Sequence, residues 1–284
     1  MLSNGSKVVD SFLFSEPFEK EVLLTKLIAE DPVVDEWVAI EDAYTFRGEF
    51  KGTSLRQIMD EPRFERFRRK MHIISCQENM FSGHPCEENF FKVEFASREL
   101  SRDYILSKYE AQDLVGCSDV DELLDFSDQY RREQLDRILV EAVRNQRIAL
   151  VKVLKFWYEF DNVSTERKWF PVGPVSVVKD CWRQRQAGEH LYTPYYEPFP
   201  LAFEYSYCFS RAEILRKLTT FSHDGYTEAD VHNALNGNYW IKATSKGEKL
   251  GDRQEDFFER VVLSRDNSTQ YVRENFEFLR TGNL

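Results

Sequence analysis

The chain has 284 residues with 38 Lys and Arg against 49 Asp and Glu, a formal net charge of −11, which repels a phosphate backbone and argues against a generic nucleic-acid-binding surface. A hydrophobic fraction of 42% and an aromatic fraction of 14% exclude a disordered chain, and the length suits one large α/β domain with at most a smaller appendage. The cysteines Cys76, Cys86, Cys117, Cys181 and Cys208 are odd in number and form no C-x-x-C pair, which speaks against a disulfide framework or zinc ribbon and for a reducing compartment.

Charges at Asp10, Glu16, Glu19, Lys20, Glu21 and Lys26 leave no apolar run for a signal peptide or membrane anchor near the start, so a soluble, cytoplasmic protein is expected. Lys7 to Phe14 is rich in β-formers and predicts a strand; Glu19 to Ala29 repeats Val22, Leu23, Lys26 and Leu27 at helical spacing. Val33 to Ile40 reads as a second, buried strand, Leu55 to Lys70 as a helical stretch interrupted at Pro62, and Met71 to Cys76 as a third strand. The basic run Arg63, Arg66, Arg68, Arg69, Lys70 is broken by Phe64, Glu65 and Phe67 and reads as a solvated helix face. Glu87 to Ala111 is periodic enough for a helix in two pieces, and Asp113 to Ser118 predicts a fourth strand. Asp128 to Asn145 predicts a helix, Ala149 to Phe160 a strand, and Trp169 to Pro200, rich in Pro, Gly and Tyr, long ordered loops. A strand at Phe203 to Phe209, helices at Arg211 to Thr219 and Thr227 to Leu235, and a helical tail complete the expected order.

The fourth strand runs into Asp119-Val120-Asp121-Glu122. In a sheet built from alternating strands and helices, ligands bind beyond the carboxyl ends of the strands, which is where this cluster falls. Alternate residues of an extended chain point to opposite faces, so Asp119 and Asp121 converge on one ion only if the backbone turns between them. Paired carboxylates suit magnesium or manganese, which share oxygen ligands with substrate phosphates and offset charge on a departing diphosphate. The bare D-x-D also describes a solvated loop, a helix N-cap, or a phosphohydrolase that forms an aspartyl-phosphate.

Four ordered blocks resemble glycosyltransferase family 17, whose best-known members add the bisecting N-acetylglucosamine of N-glycans. They are Val9-Asp10-Ser11-Phe12-Leu13-Phe14-Ser15-Glu16; Val33 to Glu41 followed by Thr45-Phe46-Arg47-Gly48; Arg102 upstream of Ser118-Asp119-Val120-Asp121-Glu122; and Ser206-Tyr207-Cys208-Phe209 with Lys217 and Phe221-Ser222-His223. Two departures stand out: Leu123-Leu124 replaces the family's I-P, and Ala202-Phe203-Glu204 replaces its G-W-H.

The resemblance implies a GT-A type α/β fold with a mostly parallel central sheet flanked by helices over residues 1–240; residues 241–284, which the resemblance does not cover, are expected from their charged, amphipathic pattern to form a helical extension packed on it. It implies inverting transfer from a UDP-sugar donor, most simply UDP-N-acetylglucosamine, to a glycan or glycoconjugate acceptor with manganese or magnesium. Asp119, Asp121 and His223 would hold the metal; Asp119, Glu122, Arg102 and Lys217 the donor phosphates and sugar; Glu41, Thr45 and Phe46 the nucleoside. Glu204 and Asp224 would be general-base candidates, and the run Tyr192, Tyr195, Tyr196, Phe199, Phe203, Tyr205 would stack on acceptor sugars. Bland readings stand beside these: ion pairs for Arg102, Lys217, Glu204 and Asp224, a tight turn at Gly48, a structural histidine, and packed aromatics. A non-catalytic carbohydrate-binding protein of the same fold is the remaining alternative.

Overall fold

The computed structural model describes residues 5–77, 90–157, 160, 162–164, 168–178, 192–195, 199–206, 208–220, 258–265, 267–276 and 279. The first apolar segments become strands β1 (Val8–Leu13), β2 (Glu36–Asp42), β3 (Met71–Cys76) and β4 (Leu114–Asp119). All four run parallel, in the order β3-β2-β1-β4. All six residues of β1 are buried, as a parallel strand covered on both faces requires. Val8 and Phe12 pack into the main core with α1 (Lys20–Glu30), while Val9 on the opposite face joins Ile105 of α3 (Phe90–Lys108) and Tyr109 just beyond it. Successive side chains of a strand alternate faces, which divides the core in this way.

Between β2 and β3, α2 (Leu55–Met59) is followed by a 3-10 stretch over Pro62–Lys70. The break falls at Pro62 because proline has no amide hydrogen to donate to the preceding turn. Helix α3 is continuous from Phe90 to Lys108, not two pieces.

Beyond β4 the sheet changes character. The elements β5 (Glu122–Leu124), α4 (Gln129–Asn145), β6 (Ile148–Trp157), β7 (Asn162–Ser164), β8 (Lys168–Pro174), α5 (Val175–Val178), β9 (Tyr192–Tyr195), β10 (Ala202–Ser206) and α6 (Arg211–Thr220) follow in order. β8 lies antiparallel between β4 and β6, β7 is antiparallel to β6, and β5 is antiparallel to β10, whereas β9 and β10 run parallel to β6. The sheet is therefore mixed, which corrects the mostly parallel expectation: only its first half is built from crossover helices.

The Trp169 to Pro200 segment, expected as loops, holds β8, α5 and β9 among the described residues. Pro171 is tolerated in β8 because there the strand pairs with β6, its ladder to β4 beginning only at Val172. The tail departs from the helical expectation as well, with β11 (Phe258–Arg260) antiparallel to β7 before the short α7 (Gln270–Glu274). Arg131 of α4 holds this tail, donating to the carbonyls of Ser268 and Arg265 while paired with Asp125 at 2.7 Å.

Candidate active site

β1, β2, β3 and β4 end along one edge, with Leu13 opposite both Ile40 and Asp119, and Asp42 opposite Cys76. Beyond that edge is a cleft lined by Phe14 and Glu16 after β1, by Asp42, Thr45 and Phe46 at and after β2, and by Lys217 of α6. Its Thr45 wall is a rigid turn. The Thr45 amide donates to the Glu49 carbonyl at 2.8 Å, and the Glu49 amide donates to Thr45 Oγ1 at 3.1 Å. Gly48 closes the turn at φ 82°, a conformation that only glycine adopts without strain.

The acidic cluster sits on the turn that D-x-D convergence requires. β4 ends at Asp119, the chain reverses through Val120 and Asp121, and β5 begins at Glu122. Val120 is buried in the core and pins the turn from below. Glu122 Oε2 accepts the Asp119 amide at 3.0 Å, so the first and last acids of the cluster fix each other. On one side Arg98 of α3 donates to the Ser118 carbonyl at 3.2 Å and pairs with Asp119 Oδ1 and with Glu94 Oε1. On the other, Lys217 Nζ stands 3.3 Å from Asp121 Oδ2 and 3.2 Å from Glu19 Oε1. Lys217 thus joins cleft and turn. Burial pushes the Asp121 carboxyl up to about 6; Glu204 and Asp119 push the same way while Lys217 and Lys168 pull against them.

Glu204 on β10 lies directly opposite Glu122 on β5, a like-charge pairing that would be repulsive by itself. Lys168 resolves it, with Nζ 2.5 Å from Glu122 Oε1 and 2.7 Å from Glu204 Oε2. Lys155 adds a contact of 3.3 Å to Glu204 Oε1, to which Ser206 Oγ also donates. Burial works against ionisation here, yet Lys168 and Lys155 hold Glu204 down at about 2. A carboxylate so paired is a weak proton acceptor, and Glu204 is tied to the turn through Lys168 and Glu122.

Beneath the turn is a charge the sequence reading did not single out. Lys26 of α1 is fully buried. Its Nζ lies 2.5 Å from Asp10 Oδ2, 3.1 Å from Glu30 Oε1, 3.1 Å from Ser118 Oγ and 2.5 Å from the Glu122 carbonyl. The Ser118 hydroxyl lies 3.1 Å from each Asp10 carboxylate oxygen, so the residue preceding the acidic cluster is tied to β1. Gly116 makes room for Asp10: a Cβ there would stand 2.6 Å from Asp10 Oδ1. The available signal was a lysine inside an otherwise apolar helical stripe.

Of the other expected site residues, Arg102 pairs with Asp103 at 3.0 Å and is one helical turn from Arg98, which is the arginine that meets Asp119. Glu41 is fully buried and accepts the Ser54 and Leu55 amides at 2.6 and 3.0 Å, so its carboxylate caps α2. Phe203 and Tyr205 belong to the core, with Tyr205 stacked on Phe156 at 5.2 Å, and present no free face to a sugar. His223, Asp224 and Tyr196 lie outside the described residues. Among the described residues no three His, Cys, Asp or Glu side chains gather into a metal nest. Asp119 and Asp121 offer hard carboxylate oxygens, a set that fits magnesium or manganese when substrate phosphates and water complete the shell.

Parallel strands that end beside a cleft, with Lys217 reaching from its wall to the acidic turn, define an α/β protein with a candidate ligand site at the carboxyl ends of its strands. The sequence model of glycosyltransferase family 17 matches residues 1–253, and the chain belongs to that family. It is accordingly a glycosyltransferase, which takes a sugar donor and a glycan acceptor. A search of curated proteins finds no match to the chain. Among the described residues no helix is long and apolar enough to cross a membrane.

Proposed function

We propose that the protein is an inverting glycosyltransferase of GT-A type that moves a sugar, N-acetylglucosamine in the simplest case, from a UDP-sugar to a glycan acceptor with the help of manganese or magnesium. The observation that carries this reading is the bridge at Lys217, which lines the cleft and contacts Asp121 on the acidic turn. A nucleotide in the cleft would extend its diphosphate along that bridge.

In this reading Asp119 and Asp121 hold the divalent ion, which when bound offsets the charge that develops on the diphosphate as the glycosidic bond breaks. Lys217 contributes a second positive charge on the cleft side, and Phe46 and Thr45 shape the nucleoside wall. Glu204, Lys168 and Glu122 keep the turn in register, and Arg98 sets Asp119. Glu204 is thereby assigned to positioning, and Asp224 stays as the proposed base, the group that deprotonates the acceptor hydroxyl.

The test is release of UDP from UDP-N-acetylglucosamine by the purified protein, with manganese and with chelator. Slow, metal-dependent hydrolysis that disappears in Asp121→Ala while the fold persists supports the reading. Turnover of a simple phosphate ester with no effect of sugar nucleotides would overturn it.

A further inference from the structure

Lys217 reaches the cleft from α6, and a lysine ammonium on its long flexible stem has no fixed place unless its surroundings supply one. Glu19 supplies it. This carboxylate is buried at the end of the 3-10 turn Pro17–Glu19, between β1 and α1. Its oxygens have separate duties. Oε2 accepts the amides of Ser15 and Glu16 at 2.8 and 3.3 Å, and both of those residues line the cleft. Oε1 stands 3.2 Å from Lys217 Nζ. The residue before it serves the same lysine: Phe18 meets the Phe209 ring edge-to-face at 5.1 Å between centroids, and Lys217 Nζ lies over that ring at 5.0 Å.

We propose that Glu19 is a positioning residue for the donor, holding the Lys217 ammonium against the Phe209 ring so that it faces the diphosphate from the cleft wall. This rests on the reading of the cleft as the nucleotide site and of Lys217 as its cation. In that reading Asp121 is engaged by the divalent ion, and Glu19 is the carboxylate that keeps Lys217 in place throughout. Oε1 cannot swing away unless Oε2 gives up its hydrogen bonds to the Ser15 and Glu16 amides, so the support is rigid. A cation ordered in advance binds phosphate more tightly than one that is ordered only on binding. By its charge alone a carboxylate at this place would repel an anionic ligand, and its pairing with Lys217 turns it into a support for one.

The experiment is titration calorimetry of UDP on the full chain in manganese buffer, for wild type, Glu19→Gln, Lys217→Met and the double variant. Glutamine keeps a carbonyl oxygen for the Ser15 and Glu16 amides and turns an uncharged amide to Lys217. Each single variant lowers UDP affinity about tenfold, within the range of couplings between contacting residues. The double variant is no weaker than Lys217→Met alone, because Glu19 acts through the lysine; a merely structural Glu19 would weaken binding by the same factor in either background. Phe209→Leu removes the ring beneath the ammonium with Glu19 untouched and lowers affinity about two- to tenfold, a loss that also vanishes in the Lys217→Met background. Additive losses, or a Glu19→Gln protein that binds UDP as well as wild type or better, overturn the assignment while the nucleotide site stands. Unchanged binding by Lys217→Met takes the lysine away from the diphosphate and overturns it too. If wild type binds no UDP, the nucleotide reading falls and this inference with it.

Discussion

Replacing Lys26 by methionine removes the one ammonium group that faces Asp10, Glu30, Ser118 and the Glu122 carbonyl together. Methionine fills nearly the same space, so the effect is electrostatic: two carboxylates are left buried with their shared partner gone. Breaking a buried pair in this way costs about 3–5 kcal/mol, a large share of the roughly 5–15 kcal/mol that holds a domain together.

The pH dependence has a definite sign. Burial raises the Glu30 carboxyl from 4.5 to about 8, with Lys26 pulling it down and Asp10 pushing it further up, and burial likewise raises Asp10. A carboxyl raised in the folded state contributes stability that is complete below its unfolded pKa and is lost as pH rises through the folded one. For wild type the Glu30 contribution therefore declines between about 4.5 and about 8. Without Lys26 both acids shift higher still, so the deficit of the variant is larger at pH 8 than at pH 5.5, where protonation relieves it. Urea titrations of both proteins at the two pH values measure this directly. Equal midpoints, or a deficit that grows toward acid pH, would refute the picture of Lys26 as the charge beneath the acidic turn.

Arg98→Ala is expected to free Asp119 and weaken manganese-dependent nucleotide binding about tenfold or more, whereas Arg102→Ala, which loses only the Glu99 and Asp103 contacts, changes neither binding nor stability beyond about 0.5 kcal/mol; calorimetry on both variants separates the two arginines. Gly116→Ala puts a Cβ against Asp10 and the Phe170 ring and should lower stability by about 1–3 kcal/mol, the usual cost of overpacking, as read by the thermal midpoint. Glu41→Ala removes the cap from α2 and should cost about 0.5–2 kcal/mol with nucleotide affinity unchanged; a selective loss of affinity would return Glu41 to donor binding.

Much of the first half of the fold was legible because parallel strands buried on both faces appear as continuous apolar runs, as at Val33 to Ile40 and Asp113 to Ser118. The acidic turn was legible for the same reason: it directly follows such a run. The second half was not, because the prolines of β8 mask a strand that borrows its pairing from distant chain segments. Pairings across the sequence were equally hidden. Arg98 and Arg102 are one turn apart on α3 and share a face, so period alone cannot choose between them, and about 6 Å of helix rise decides which meets Asp119. Glu41 follows the apolar run of β2 and belongs to the family's second block, which made it a donor candidate; its bond to an amide thirteen residues on leaves no local mark in the sequence. The lysines that neutralise Glu204 come from β6 and β8, a meeting only the folded sheet creates.

The central claim is that Asp121 and its neighbours grip a divalent ion beside a nucleotide cleft. Calorimetric titration of UDP into wild type and Asp121→Ala, with manganese and with chelator, tests it most directly. The account predicts binding by wild type that weakens sharply in chelator, and a variant that stays folded but gains nothing from manganese. Identical titrations for the two proteins, or wild-type binding indifferent to the metal, would contradict it.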